Sequence, residues 1–313
     1  MSRCYAGSEG VTLMHRKGSP LILWAVCFIL CFTNASVAEA AQPTIVRDEE
    51  KGHWLYKSDT LRVEITRYTF DDELVWYETD LRTSPASMLR GVLSTESRPH
   101  RHLKKPDVIA QEHQLVFAQT DDFYASRLKS KKLKPGVIIR NSTTLYDSVY
   151  RGNGKPFPPL DAMALFADGS MRVFVQREHT ADEYLAMGAV DVFSFGPLLI
   201  RDGQMDARLE TGYAHHEPRT AIGIVEPYHF FTIVVDGRRD GSDGCELKRI
   251  AQRMLEVGVT DAINMDGGQT SALVFLGQKI NVTGSFKGRA RIRSVGGMIG
   301  VSDAGWNGEL LPE

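Results

Sequence analysis

The sequence predicts an α+β fold, a single mixed domain in which strands outnumber helices. Short apolar runs rich in β-branched and aromatic residues recur from residue 61 to residue 301 and indicate about a dozen strands. A clear helical stripe occurs between residues 247 and 255, where apolar residues recur at helical spacing, and residues 84–93 have a weaker pattern that predicts another helix. The chain shows no internal repeat, so one domain is the simplest prediction.

Composition narrows the class of protein. The 313 residues are 42% apolar and 24% charged, which is typical of a globular chain. Lys and Arg number 37 against 39 Asp and Glu, for a net charge of −2, and this balance argues against nucleic acid as a partner. One basic run, residues 127–134, departs from the balance, and we interpret it as a solvated face.

Residues 1–40 read as a secretory signal peptide. A basic start precedes a twelve-residue apolar core, residues 21–32, and Ala38-Glu39-Ala40 fits a cleavage site of small residues. The apolar core is too short for a membrane span, although an uncleaved anchor is the alternative. We therefore expect an exported, periplasmic or secreted protein with no stable membrane span after cleavage. Beyond the leader, the chain keeps one cysteine, Cys245, either a stabilised thiolate or a small packing residue.

A strand-helix-strand unit is predicted near the C-terminus, within residues 230–270. An apolar run at residues 230–235 predicts a buried strand, and residues 262–265 predict a second one. The helical stripe lies between them, with Asp243 and Glu246 as a predicted capping box and Gly258 at its end. Polar groups gathered at neighbouring strand ends commonly build a site on such a scaffold.

Each of those two strands ends in an Asp-Gly pair, at Asp236 and Asp266. The same pair at Asp168 and Asp202 predicts ordinary hairpin turns, so a plain turn is the alternative at both strand ends. Asp236 and Asp266 differ because neither is followed at once by an apolar return strand. Both also lie beside further glycines and polar residues.

Three blocks in this region occur in a recognisable order. They are Arg-Thr-Ala-Ile-Gly at residues 219–223, Val-Asp-Gly-Arg at 235–238 and Asn-Met-Asp-Gly-Gly at 264–268. With Gly-Pro-Leu-Leu at residues 196–199, they resemble the phosphodiester glycosidase family, and the resemblance extends over roughly residues 110–301. Two departures from the family pattern bear on the substrate or the activity: Gln119-Thr120-Asp121 stands where an Asn-Gly pair is usual, and Gln269 replaces a third glycine.

The resemblance implies cleavage of the bond between a sugar anomeric carbon and a phosphodiester. Glycoside cleavage uses carboxyl groups beside the anomeric carbon, and the candidates at predicted strand ends are Asp122, Asp236 and Asp266. A phosphate leaving group is a weak base, so its charge needs cations more than it needs an acid. Arg219 and Arg238 are placed to bind that phosphate, since guanidinium groups match phosphate oxygens.

Four further residues are predicted to bind substrate. Gly267 and Gly268 would bring backbone N–H groups close to an anion, while Asn264 and Thr270 would hydrogen-bond sugar hydroxyls. No cofactor is predicted. His100, His102 and His113 do not have zinc-ligand spacing, and a divalent cation is left open.

The predicted organisation is a signal peptide at residues 1–40, N-terminal strands and linker at 41–105, a phosphodiester glycosidase-like region at 106–302 and a tail at 303–313. A glycan or sugar phosphate is the expected substrate. Two alternatives to the hydrolase stay open. One is a degenerate glycan-binding module on the same fold, and the other is a metal-dependent phosphoesterase that uses the aspartates as ligands.

Overall fold

Strands dominate the structure. The computed structural model describes residues 42–96, 101–122, 135–148 and 159–310. The predicted signal peptide and the basic run at residues 127–134 lie outside the described residues. Strands far outnumber helices in the described ranges, as the sequence predicted. No helix there combines the length and the apolar character needed to cross a bilayer.

The described elements are given in chain order. The first strands are β1 (Thr44–Asp48), β2 (His53–Lys57), β3 (Arg62–Phe70), β4 (Leu74–Arg82), β5 (Arg90–Leu93), β6 (Leu115–Thr120), β7 (Val137–Arg140), β8 (Thr143–Asp147), β9 (Asp161–Phe166), β10 (Met171–Phe174) and β11 (Ala189–Phe195). The later strands are β12 (Leu198–Arg201), β13 (Gln204–Met205), β14 (Arg219–Glu226), β15 (His229–Val235), β16 (Asp261–Met265), β17 (Leu273–Phe275), β18 (Gln278–Lys279), β19 (Ser285–Phe286), β20 (Arg289–Ala290) and β21 (Gly297–Ser302). The helices are α1 (Pro106–Glu112), α2 (Ala181–Ala186) and α3 (Leu247–Val257).

A nine-stranded sheet in the order β1-β2-β3-β4-β15-β14-β16-β12-β13 carries most of the predicted blocks. Strand β14 runs antiparallel to both of its neighbours, β15 and β16. Arg219, the first residue of β14, lies opposite Val235 at the end of β15, and Thr220 lies opposite Met265 at the end of β16. The loops that follow β15 and β16 therefore meet at the residue that begins β14.

Three smaller sheets complete the described fold. Their orders are β10-β9-β11-β7-β8, β18-β17-β6-β21-β5 and β19-β20. The largest apolar cluster joins residues of the nine-stranded sheet, such as Ile222 and Val234, to Phe117 of β6, Met163 of β9 and Ile299 of β21. The main core thus lies where the three large sheets pack together, and it brings the end of β6 towards the ends of β15 and β16.

Helix α3 covers one face of the nine-stranded sheet. Its predicted apolar stripe is buried, and the helix ends at Gly258, which adopts a left-handed conformation with φ 94°. The predicted capping box is wrong. The helix begins at Leu247, so Glu246 takes the N-cap position without a side-chain cap, and the Asp243 N–H donates to the carbonyl of Glu73.

Residues 84–93 form no helix, although their pattern predicted one. Arg90–Leu93 instead forms strand β5, which pairs with β21. Local propensity in this segment is weak, and pairing with a distant strand overrides it.

The region predicted as a tail packs against the N-terminal strands as far as it is described. Trp306 is buried in the main core, and the Asp303 carboxylate accepts hydrogen bonds of 2.6 Å from the hydroxyls of Tyr56 and Ser87. Burial by itself would raise the pKa of Asp303. Hydrogen bonds from Ser87, Thr60 and Tyr56 outweigh it and lower that pKa to about 2.

This carboxylate predicts a dependence of stability on pH. Its pKa is lower in the folded chain than its ordinary value of 3.8, so its contribution is present above pH 3.8 and is lost as the pH falls towards 2. We expect Asp303→Asn to be less stable than wild type at pH 7, with the gap closing as the pH falls from about 5 to 2. Urea unfolding at several pH values measures this gap. A gap that stays constant on acidification would contradict the assignment.

Candidate functional site

A cleft of about 470 Å³ opens where β14 begins, at the ends of interior strands of the nine-stranded sheet. Six of the nine predicted site residues line it: Arg219, Arg238, Asn264, Asp266, Gly267 and Gly268. They come from the start of β14, from the loop after β15 and from the end of β16 with its following loop. The antiparallel pairing of these three strands explains why residues far apart in sequence meet here.

Arg219 brings a largely buried positive charge to the cleft. Its Nε donates to the carbonyl of Cys245 at 3.2 Å and its Nη2 to that of His215 at 2.7 Å. These carbonyls orient the guanidinium without neutralising it, and Arg219 forms no ion pair with any residue in the described ranges. Burial lowers the pKa of Arg219 below its ordinary value, which reflects the cost of an uncompensated buried cation. An anionic ligand would offset that cost.

Arg238 is the second cation of the cleft and is held by Glu217. Its Nε donates to Glu217 Oε2 at 2.6 Å, and Nη2 lies against the same oxygen. The guanidinium carbon also lies 5.3 Å from the ring centroid of Phe286. Both Arg238 and Glu217 are about one-third exposed, so solvent and ligands reach the pair from the cleft.

Asn264 brings a buried amide to the cleft. Its Nδ2 donates to the carbonyl of Gly196 at 2.9 Å, which assigns the amide orientation. Its Oδ1 is buried and accepts no hydrogen bond within the described part of the chain. Buried acceptors normally find a donor, so this atom suits the hydroxyl or N–H of a bound sugar.

Asp266 is the predicted catalytic carboxylate that lines the cleft. Its backbone N–H donates to the carbonyl of Asp121 at 3.0 Å, which ties the loop after β16 to the end of β6. The Thr270 hydroxyl lies within hydrogen-bonding reach of Asp266 Oδ2 and of the Gly267 carbonyl. Thr270 is fully buried and is not part of the cleft lining, so it contacts Asp266 and not the space predicted for a sugar.

The two glycines allow the loop to approach Pro218 closely. A Cβ on Gly267 would lie 2.5 Å from the Pro218 carbonyl oxygen, which is too close for any other residue without a backbone shift. Gly268 has φ +67°, and its N–H donates to the same oxygen at 3.0 Å. The Gly268 N–H is therefore already engaged, so the predicted anion nest would depend on other donors.

Asp122 lies outside the cleft lining. Its carboxylate is fully buried and forms an ion pair with Arg140 at 3.1 Å, and Arg140 Nη2 lies 3.6 Å from Asp121. The backbone N–H of Ser194 also donates to the Asp122 carboxylate at 3.2 Å. This network joins the end of β6 to β7 and β11. The catalytic role predicted for Asp122 stays a prediction, and its contacts with Arg140 and Ser194 hold strands together.

Asp236 is likewise fully buried and outside the lining. It accepts hydrogen bonds from Arg239 at 2.8 Å, from the Asn281 side chain at 3.2 Å and from the Val282 N–H at 3.1 Å. Asn281 also donates to the carbonyl of Ser271, so Asp236 connects the loop after β15 to the loop after β16. Burial raises the pKa of Asp236, against the pull of Arg239. Its predicted catalytic role stays a prediction.

The two departures from the family pattern have structural partners. The Thr120 hydroxyl donates to the Thr270 carbonyl at 2.5 Å and accepts from the Ala272 N–H at 2.9 Å. Gln269 Nε2 donates to the Arg289 carbonyl at 2.7 Å, and the Gln269 carbonyl accepts from the Arg293 N–H at 3.0 Å. Both residues therefore stabilise the loop that carries Asp266.

Sequence reasoning missed several residues of the cleft. Glu217, Phe286 and Arg293 line it but were not assigned to the site. Glu217 lies two residues before the first residue of β14, Arg219, and this position is the one local signal for it. Phe286 and Arg293 lie in the glycine- and arginine-containing segment after residue 284, and only the tertiary structure brings that segment to the cleft.

Cys245 is a packing residue. It is buried and unpaired, and burial raises the pKa of its thiol to about 12, so it is not a stabilised thiolate. Across the described ranges, no group of three or more His, Cys, Asp and Glu side chains has an arrangement suited to a metal ion.

Comparison with known protein families identifies the family of this chain. The family model described as phosphodiester glycosidase matches residues 113–302, more than half of the chain. The chain belongs to the phosphodiester glycosidase family. The match covers every residue that was predicted to form the site.

Individual relatives of this phosphodiester glycosidase family member are distant. The SPbeta prophage-derived uncharacterized protein YomE of Bacillus subtilis (strain 168) is 31% identical over 154 residues. The match covers 48% of this chain but only 22% of YomE, so the chain spans about a fifth of that relative's length.

Solved structures show the same fold. The catalytic domain of zebrafish N-acetylglucosamine-1-phosphodiester alpha-N-acetylglucosaminidase, auto-inhibited by its pro-peptide, has a TM-score of 0.61 at 17% identity, covering 84% of this chain and 89% of that domain. A hypothetical protein from Synechocystis has a TM-score of 0.52 at 12% identity, covering 84% and 64%. A protein of Burkholderia pseudomallei K96243 described as exported has 0.51 at 11%, covering 74% of each chain.

Proposed function

We propose that the chain is an exported hydrolase that cleaves the bond between a sugar anomeric carbon and a phosphodiester in a surface or exported glycan, such as an exopolysaccharide. The observation that carries this proposal is the convergence of Arg219, Arg238, Asn264 and Asp266 on one cleft. Cations, a carboxylate and an unpartnered amide oxygen match the three parts of such a substrate: its phosphate, its reacting carbon and its sugar hydroxyls.

In this proposal the two arginines bind the phosphate of the scissile linkage. Arg219 supplies a largely buried charge without an ion-pair partner in the described residues, and Arg238 supplies a second charge held in place by Glu217. As the bond to the anomeric carbon breaks, negative charge accumulates on the departing phosphate. The arginines stabilise that charge, so strong protonation of the leaving oxygen is not required.

Asp266 is the carboxylate that acts at the anomeric carbon, either by attacking it or by activating water. Thr270 holds Asp266 Oδ2, and the N–H donated to Asp121 fixes its backbone. Asn264 binds a sugar hydroxyl through Oδ1. Asp122 and Asp236, predicted as catalytic, support this cleft through buried contacts, and Thr270 supports it by orienting Asp266.

Hydrolysis in water enriched in ¹⁸O separates this function from its alternatives. A glycosidase breaks the sugar carbon–oxygen bond, so the label enters the released sugar. A phosphoesterase breaks the phosphorus–oxygen bond, so the label enters the phosphate. The substrates are sugar-1-phosphodiesters of several hexoses, each assayed with and without EDTA.

The outcomes of that assay are distinct. Label in the sugar, unaffected by EDTA, supports the proposal. Label in the phosphate, lost with EDTA, identifies the metal-dependent phosphoesterase. Tight glycan binding without turnover identifies the binding module.

Arg238→Gln tests the phosphate contact. Charge-assisted hydrogen bonds contribute about 1.5–3 kcal/mol, so KM for a sugar-1-phosphodiester should rise roughly 10- to 100-fold. Arg201→Gln is the matched control, because Arg201 forms a similar pair with Glu178 outside the cleft. Equal effects from the two variants would show that Arg238 matters only for stability.

A further inference from the structure

A second, strongly basic groove continues from the cleft. It measures about 770 Å³ and shares Gln269, Phe286 and Arg293 with the cleft lining. Five cationic side chains line it: Lys105, Lys287, Arg289, Arg291 and Arg293. We call this surface the basic groove.

These charges lack ion-pair partners in the described part of the chain. The lining of the basic groove contains no Asp or Glu, and none of its five cations forms an ion pair with a residue in the described ranges. The internal segments outside those ranges, residues 97–100, 123–134 and 149–158, contain no Asp or Glu in sequence either. Burial first, and then the positive charge of Arg291, lower the pKa of Lys105, with Asp107 opposing more weakly. Like charges held this close repel each other, which a polyanion would relieve.

The backbone of the basic groove is held in place. Strands β19 and β20 form a small hairpin, and Gln269 binds it through the Arg289 carbonyl and the Arg293 N–H. The Lys105 ammonium also contacts the Ile292 carbonyl. The side chains of Arg289 and Arg291 remain exposed beside this fixed backbone.

Phe286 joins the basic groove to the cleft. The guanidinium carbon of Arg238 lies 5.3 Å from the Phe286 ring centroid, that of Arg293 lies 5.8 Å from it, and the Lys287 ammonium lies 5.6 Å from it. The distance between the guanidinium carbons of Arg238 and Arg293 therefore cannot exceed the sum of their distances from the Phe286 ring centroid. This distance is comparable to the length of a short run of sugar units. A ligand held at Arg238 would reach the basic groove through its next units.

We propose that the basic groove binds the neighbouring phosphates of a polymer, so that the substrate is a glycan chain with repeated phosphodiester linkages and not a single terminal sugar phosphate. This inference rests on the proposed function, because it takes the cleft to hold one linkage of that chain. Several weak contacts to successive phosphates then add to the affinity of the chain.

Binding is tested with two synthetic probes, an oligomer of N-acetylglucosamine units joined by 1,6-phosphodiesters and its fragment with one phosphodiester. Fluorescence anisotropy is measured in the full chain carrying Asp266→Asn, so that turnover does not interfere. We expect tighter binding of the oligomer than of the fragment. Adding Arg289→Ala and Arg291→Ala should reduce that preference roughly 3- to 10-fold at low salt, and less at high salt, where charges are screened.

Arg172→Ala is the matched control, since Arg172 is exposed on β10 and lines neither the cleft nor the basic groove. An unchanged preference in the double variant, or an equal loss in the control, overturns the inference. So does a single-stranded DNA that binds as tightly as the oligomer with the same dependence on Arg289 and Arg291. Because binding needs no turnover, an oligomer preference that depends on these arginines upholds the basic groove even if the sugar-release assay fails.

Discussion

Replacing Asp266 by asparagine should lower kcat for sugar release roughly 10²- to 10⁴-fold, the range expected when a positioned acid–base group is lost. Asparagine keeps the shape of the side chain and still accepts from the Thr270 hydroxyl. It cannot attack the anomeric carbon or take a proton from water as a carboxylate does. The loss should therefore appear in kcat, with KM changed much less, because the arginines that bind phosphate remain.

Asp202→Asn is the matched control for this variant. Asp202 is also followed by glycine, but its side chain is 89% exposed in the turn between β12 and β13. The control should retain full activity. An Asp266→Asn protein that keeps more than about a tenth of wild-type kcat would remove Asp266 from the catalytic role, since even a modest acid–base contribution exceeds that factor. The next variant to assay would then be Glu217→Gln, at the other carboxylate of the cleft.

Replacing Arg140 by methionine should destabilise the fold by about 3–5 kcal/mol, because the change removes a buried cation that pairs with a buried carboxylate. Arg140 is 3% exposed, pairs with Asp122 and lies close to Asp121. Its guanidinium also donates to the carbonyls of Ile139 and Val192. Methionine fills a similar volume, so the loss of stability comes mainly from removing the positive charge of Arg140. Urea unfolding at pH 7 measures it.

The control for this variant is Arg172→Met. The guanidinium of Arg172 lies 5.4 Å from the Phe166 ring, and that of Arg140 lies 3.8 Å from the Phe193 ring, so both changes remove an aromatic contact. Arg172 is exposed, and the control should cost under about 1 kcal/mol. A comparably small cost for Arg140→Met would show that Asp121 and Asp122 are compensated by other groups.

Acidification gives the Arg140→Met prediction a second test. Burial raises the pKa of Asp191, and Arg140 partly opposes that effect. A carboxyl whose pKa is higher in the folded chain than in the unfolded chain binds protons more readily when folded, so its protonation favours folding. Without Arg140, Asp191 should behave in this way more strongly, because Arg140 no longer opposes the effect of burial. The variant should therefore recover part of its lost stability as the pH falls towards about 4.

The fold near the cleft was largely predictable from sequence. The run ending at Val235, the stripe over α3 and the run ending at Met265 carry their periodicity locally, and each forms the predicted element. The prediction of a helix over residues 84–93 was wrong, because the local helical preference is weak there and β5 depends on pairing with β21. The prediction of a capping box was wrong, because Asp243 lies one turn ahead of the first helical residue and its N–H donates to the carbonyl of Glu73.

The residues of the candidate site likewise fall into those that the sequence predicted and those that it did not. Arg219, Arg238, Asn264 and Asp266 were predicted from sequence because they lie at strand ends within family blocks. All four line the cleft, because antiparallel pairing brings those strand ends together. Sequence by itself thus determined the strands, the family pattern and the residues at those ends.

Which polar residues face the cleft depends on the three-dimensional packing of the sheets. Asp122, Asp236 and Thr270 were predicted as site residues together with Asp266. In the fold, however, Asp122 pairs with Arg140, Asp236 pairs with Arg239, and the Thr270 hydroxyl contacts Asp266. Phe286 and Arg293 reach the cleft because Gln269 holds their segment through the carbonyl of Arg289 and the N–H of Arg293. Burial and charge pairing depend on side chains that arrive from distant strands, and local sequence patterns carry no record of those neighbours.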